Sequence, residues 1–182
     1  PQLLKEGLSI TPANVILAAQ EALAQAAEAL ICEISSGGTG LAQLGILTSF
    51  TNDYRIAGGT KWASTAKLQM LSLARRGSRL AANADCRISP DISFAKGGLV
   101  RALPDGLIYG EERLGLYLGE DLDFASYQTA ISGAAAAAEL LELEREDTIR
   151  ALEGFGGFSG RMKIERLDGR TVFDSSNSGL KV

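Results

Sequence analysis

Apolar positions after Thr11-Pro12 recur at helical spacing, at Val15, Ile16, Ala19, Leu23, Ala26 and Ala27. Ser9-Ile10-Thr11-Pro12 reads as a helix start. Thr11 can cap, and Pro12 suits the first helical position, where its missing N–H costs nothing. The pattern then shortens. Residues 29–34 form an apolar run with β-branched members and predict a buried strand, followed by the loop Ser35-Ser36-Gly37-Gly38-Thr39-Gly40. Residues 45–49 predict a second buried strand, 51–60 a polar loop, and 61–76 a helix. Residues 79–82 predict a short strand ending in Asn83-Ala84-Asp85. Strand, loop, strand, helix and strand, with apolar strands throughout, argue for a mostly parallel sheet covered by helices.

Residues 88–127 carry a different pattern. Leu99-Val100-Arg101, Leu107-Ile108-Tyr109 and the segment 114–118 are separated by Gly and Pro, and they predict short antiparallel strands. Helices are expected over 126–142 and 146–153. The first of these contains Gly133 and the run of alanines after it, a surface suited to close packing. Gly154, Gly156, Gly157 and Gly160 then mark a flexible passage, read as a domain boundary. Beyond it, 162–167 and 170–173 flank Asp168-Gly169, a strong signal for a two-residue hairpin. The expected division is 1–155 for the main domain and 156–182 for a junction that begins another.

Composition narrows the function. The chain has 182 residues, 46% apolar and 22% charged, with a net charge of −4. Basic residues never cluster beyond Arg75-Arg76, so no nucleic-acid surface is expected. No stretch reads as a membrane span or a signal peptide. Cys32 and Cys86 match no disulfide or zinc spacing, and Cys32 reads as a small core residue; a reducing, cytoplasmic setting follows. The first residue is Pro1, not Met, as in a processed product. Histidine is absent, which removes the commonest general base and metal ligand.

Four groups of residues remain as candidates for chemistry, each with a plainer alternative. Glu33 ends the first predicted strand, where ligands bind in parallel α/β sheets, and its carboxylate suits Mg²⁺; a solvated surface Glu is the plainer reading. Thr51-Asn52-Asp53-Tyr54 places a carboxylate and a phenol after the second strand, or forms an ordinary turn. Lys67 faces an active site, or it is one more solvated helix lysine. Arg161 and Asp174, beside the glycine-rich passage, clamp a phosphate and a ribose, or they edge a hairpin. No Gly-Lys-Ser/Thr follows any of the glycines, so the chain has no P-loop.

In this order the pieces resemble the Mur ligases. Glu33-Ile34-Ser35-Ser36-Gly37 is similar to their Glu-x-Ser-Ser. Thr48-Ser49-Phe50-Thr51-Asn52-Asp53-Tyr54 resembles Thr-Asn-x-x-x-Asp-His. Ala66-Lys67 and Asn83-Ala84-Asp85 match Ala-Lys and Asn-x-Asp. The segment from Tyr127 to Ala137 is similar to the helix opening with His-Asn and Asn-Ala-x-Ala-Ala. Gly160-Arg161-Met162 and Asp174-Ser175 match the elements at the junction with the C-terminal domain. The resemblance implies a three-layer α/β fold related to the P-loop NTPases, with a mostly parallel sheet flanked by helices and a small antiparallel region. It implies ATP and Mg²⁺ as cofactors and acyl-phosphate activation of a carboxylate. Glu33 and Asp53 would ligate Mg²⁺, and Lys67 would be catalytic as a carbamate, an anion that helps hold the metal. Arg161 would meet the ATP phosphates and Asp174 the ribose. Gln128-Thr129 and Ser132 stand where the family has its adenine-contacting His-Asn and Asn, and Tyr54 replaces a metal-binding His.

Ser9-Ile10-Thr11-Pro12-Ala13-Asn14, Gly37-Gly38-Thr39-Gly40-Leu41, the segment 53–60 and Ser175-Ser176-Asn177-Ser178-Gly179 look like a divergent archaeal branch of the family from methanogens. That resemblance implies a small-molecule substrate, a nickel tetrapyrrole with a propionate side chain. It places the strand, P-loop and helix of the family before residue 1, so the isolated chain is expected to be inactive and to form a homodimer through an open sheet edge. Two alternatives stand beside it: an amino-acid ligase of the muramoyl-peptide or folylpolyglutamate type, and a non-catalytic scaffold.

Overall fold

The computed structural model describes residues 11–34, 37–51, 53–158 and 162–174. The chain forms two compact units: Pro1–Gly45 with Phe50–Ser78, and Ile46–Ser49 with Arg79–Val182.

The first unit holds α1 (Pro12–Ala24), the start of β1 (Leu44–Leu47), β2 (Arg55–Ile56), β3 (Lys61–Trp62), α2 (Ala63–Lys67) and α3 (Gln69–Ser72). Pro12 opens α1 as expected, with Thr11 extended at the cap position. Here sequence and structure part twice. Residues 29–34 belong to none of the sheets among the described residues. Ile31 is 95% exposed and Cys32 is also exposed, so Cys32 is no core residue. An apolar run becomes a strand only where a neighbour offers a ladder, and none of the described strands does. The expected helix over 61–76 is also broken. Lys61-Trp62 pairs antiparallel with Arg55-Ile56, and two short helices follow, joined at Leu68. Helical spacing marks the apolar face but does not require an unbroken helix.

The second unit is built on β4 (Arg79–Asn83), β5 (Ile92–Phe94), β6 (Val100–Leu103), β7 (Gly106–Tyr109) and β8 (Glu112–Gly115), with α4 (Phe124–Leu140), α5 (Arg145–Glu153), β9 (Lys163–Leu167) and β10 (Arg170–Asp174). The main sheet runs in the order β1-β4-β5-β6-β7-β8. β4 pairs parallel with β5, and β5 with β6; β6, β7 and β8 then form an antiparallel meander. β5 was not anticipated, because its three residues Ile92-Ser93-Phe94 are too few to show a period. The fold is thus α/β, a central parallel sheet flanked by helices with antiparallel additions, as expected. The Asp168-Gly169 turn also forms: both residues have positive φ, 49° and 74°, the conformation that joins β9 to β10.

The core lies between α4 and the sheet. Phe94, Val100, Ala102, Leu107 and Leu116 are fully buried, packed with Ile131, Ala135 and Ala136 of α4. Small residues let the helix approach closely: a Cβ on Gly133 would lie 3.1 Å from the Phe94 ring. Each large side chain so buried stabilises the unit by about 1.5–3 kcal/mol. Arg145 of α5 ties this layer together. It bonds Glu139 at 2.5 Å, pairs with Glu112 and lies 4.5 Å from the Tyr109 ring centroid. The Arg145 hydrogen bond holds the Glu139 carboxyl below its ordinary range, and burial pushes the Tyr109 phenol up. Among the described residues no helix is long and apolar enough to cross a membrane.

Candidate functional site

In the first unit the turn 57–60 folds β2 back on β3. Ala57, Gly58 and Gly59 all have positive φ, and the Thr60 hydroxyl donates to Ala57 O at 2.8 Å. Asp53 closes the open end. Its Oδ1 accepts from Tyr54 N (3.0 Å) and Ser64 N (2.9 Å), and its Oδ2 accepts from the Ser64 hydroxyl at 2.5 Å. Ala63 N donates to Tyr54 O beside it at 2.9 Å. The Ser64 hydroxyl, then the backbone N–H groups and the charge of Lys67, hold the Asp53 carboxyl below its ordinary value. Lys67 lies one turn beyond Ser64 on α2 and is half-buried. Two residues picked from the sequence, Asp53 and Lys67, therefore belong to one electrostatic group. Ser64 completes it and was missed, because its partner is eleven positions away and no local pattern links them.

Glu33 is exposed and lies outside any strand. Among the described residues no group of three or more Asp, Glu, Cys or His could hold a metal. Asp53 already accepts three bonds of the roughly four that a carboxylate can take.

The second unit carries its own polar corner at the carboxyl end of β4. Buried Asn83 donates its Nδ2 to Thr48 O at 2.9 Å and accepts from Asp85 N at 3.0 Å. The Asn-x-Asp segment thus fastens two strand ends, the place where ligands bind in such sheets. On α4, Gln128 Nε2 donates to Ala102 O at 2.9 Å. The fully buried Ser132 hydroxyl accepts from Ala102 N at 2.9 Å and donates to Gln128 O at 2.7 Å. Gln128 and Ser132 thus bind α4 to β6, while Thr129 remains exposed. Asp174 ends β10, half-buried and engaged. Arg161, with Ser35, Ser36 and Asn52, lies outside the described residues.

No family profile matches the chain. Over its whole length it is 38% identical to coenzyme F(430) synthetase of Methanosarcina acetivorans, of which it spans 46%. Its fold is similar to that of two solved structures of proteins from Acinetobacter baumannii. One is MurF (TM-score 0.53). The other is UDP-N-acetylmuramoylalanyl-D-glutamyl-2,6-diaminopimelate--D-alanyl-D-alanyl ligase (TM-score 0.51). These likenesses cover 73% and 72% of this chain and 33% of each neighbour, at 18% identity. The chain is a homologue of part of coenzyme F(430) synthetase, with a Mur-ligase fold. The chain contains no histidine.

Proposed function

We propose that this chain is part of an ATP-dependent synthetase that activates the propionate of a nickel tetrapyrrole as an acyl phosphate, in the making of coenzyme F-430. The observation that carries this reading is the identity to coenzyme F(430) synthetase along the entire chain. Residues 1–155 serve as the central domain and 156–182 as the passage into the next. ATP with Mg²⁺, when bound, supplies the phosphoryl group. Glu33 and Asp53 offer carboxylates to the metal, with Ser64 fixing the orientation of Asp53. Lys67, as a carbamate, adds negative charge beside them. Arg161 meets phosphates, Asp174 the ribose, and Gln128-Thr129 the adenine edge. Phosphate binding also needs a glycine-rich loop that this sequence does not contain, so the activity belongs to the whole protein and not to this segment.

The test is phosphate release by the whole protein with ATP and Mg²⁺. A nickel tetrapyrrole bearing a free propionate should stimulate release, and Lys67→Ala should lower kcat by more than a hundredfold, as for loss of a group that stabilises the transition state. Stimulation by amino acids alone would move the assignment to an amide ligase. Absence of nucleotide binding by calorimetry would leave a scaffold.

A further inference from the structure

From Tyr54 to Ala84 the sequence holds six basic residues and no acidic one, in a chain whose net charge is −4. The β2–β3 hairpin sets part of this charge beside aromatic surface. Arg55 and Trp62 are cross-strand partners, and the Arg55 guanidinium lies 4.2 Å from the centre of the indole. One of its N–H groups donates to Gly59 O at 3.1 Å, which fixes the fork in place. Tyr54, Arg55, Lys61 and Trp62 are all exposed, whereas Ala63 and Ala66 just beyond them are buried. The fold therefore buries small side chains here and leaves its largest aromatic outside. Exposed Trp, Tyr and Arg together are the residues that dominate binding energy at recognition surfaces. Two-residue strands cannot sustain themselves; the bonds from Asp53 to Ser64 and from Ala63 to Tyr54 hold them in position.

We propose that this hairpin is the platform that receives the substrate macrocycle, with one face of the tetrapyrrole lying on the Arg55–Trp62 stack and peripheral carboxylates meeting Arg55 and Lys61. The proposal rests on the tetrapyrrole reading above and adds where the ring sits. Both halves of the chemistry match. A tetrapyrrole macrocycle presents a broad apolar face, against which indole and guanidinium planes both pack. Its carboxylates need cations, and a guanidinium pairs with them while remaining stacked. The platform and the group Asp53, Ser64 and Lys67 belong to one continuous segment, 53–67, in which Trp62 directly precedes the helix that carries Ser64 and Lys67.

Trp62 is the single tryptophan of the chain, so its emission reports on this surface alone. Nickel uroporphyrin titrated into the 182-residue chain should quench that emission saturably, with a matching shift of the macrocycle's own absorption band. Citrate, a polycarboxylate without a ring, should not quench. Arg55→Ala and Lys61→Gln should each weaken the affinity about tenfold, and added salt should weaken it further. Trp62→Ala, read by the absorption band, should reduce affinity by at least as much. Unchanged affinity in Lys61→Gln and Arg55→Ala with native circular dichroism overturns the platform, even if Trp62→Ala fails to fold. In the whole protein, unaltered KM for the tetrapyrrole in these variants overturns the platform alone. Phosphate release with amino acids and none with tetrapyrrole overturns the reading beneath it.

Discussion

The two units of the chain are stabilised in different ways. The second unit has a contiguous core of Phe94, Val100, Leu107 and Leu116 under α4. In the first unit the buried side chains are small, such as Ala18, Ala22, Ala63 and Ala66, while Leu23, Ile31, Trp62 and Leu73 are exposed. Its order rests on local devices: the Asp53 bonds, the positive-φ turn, and close backbone approaches at glycines. The contrast matches the tasks proposed for them. A surface that binds a large apolar ligand must keep its aromatic groups outside its own core, and it gives up burial energy to do so.

The largest effect that would test this contrast is in the core. Phe94→Ala should destabilise the second unit by about 3–5 kcal/mol, read as a lower urea midpoint of the circular dichroism transition. Trp62 emission, which reports the first unit, should shift less; an equal shift of both signals would break the comparison. Gly40→Ala probes the other mechanism. An added Cβ would lie 2.0 Å from Leu73 O, so a loss of about 1–3 kcal/mol or more is expected in the Trp62 transition. Ser132→Ala removes the hydroxyl that bonds Ala102 N and Gln128 O. It leaves a buried N–H without its partner and should cost the second unit about 1–3 kcal/mol. A near-neutral result would show that Gln128 alone secures the helix.

The smallest effect is the pH dependence that Asp53 gives the first unit. Asp53 is held below its ordinary value of 3.8 in the folded state. Its bonds therefore stabilise the hairpin above the unfolded pKa, and that contribution fades as pH falls through the folded value. The Ser64 amide resonance, followed by NMR through this acid range, should move at a pH below 3.8, and Asp53→Asn should abolish the movement. A midpoint at or above 3.8 would mean that Ser64 does not hold the carboxylate.

Legibility in the sequence followed the same division. In the second unit, β6, β7, α4 and α5 were readable because each has a period or a turn signal of its own, whereas the strand expected over 114–118 forms at Glu112–Gly115. Asp168-Gly169 announced its hairpin, and Asn83-Ala84-Asp85 the end of β4. In the first unit the readings of 29–34 and 61–76 failed. An apolar run does not say whether a partner strand exists, and a helical stripe does not say where Lys61-Trp62 leaves it to pair with Arg55-Ile56. The candidate site divided likewise. Asp53 and Lys67 were legible as residue types at family spacing. Ser64 and the Arg55–Trp62 stack were not, because each depends on a turn that returns the chain to a distant position.

The sequence by itself determined the α/β class, the apolar face of α4, the hairpin at Asp168-Gly169 and the identity of the chemical groups. Side-chain period and turn stereochemistry are local properties and need no partner to be expressed. Only the tertiary structure decided that Asp53 is held by Ser64, that Gln128 and Ser132 grip β6, and that Trp62 stays outside the core. Those outcomes depend on which groups meet across the fold, and hydrogen bonds and burial act on distance in space, not on separation along the chain.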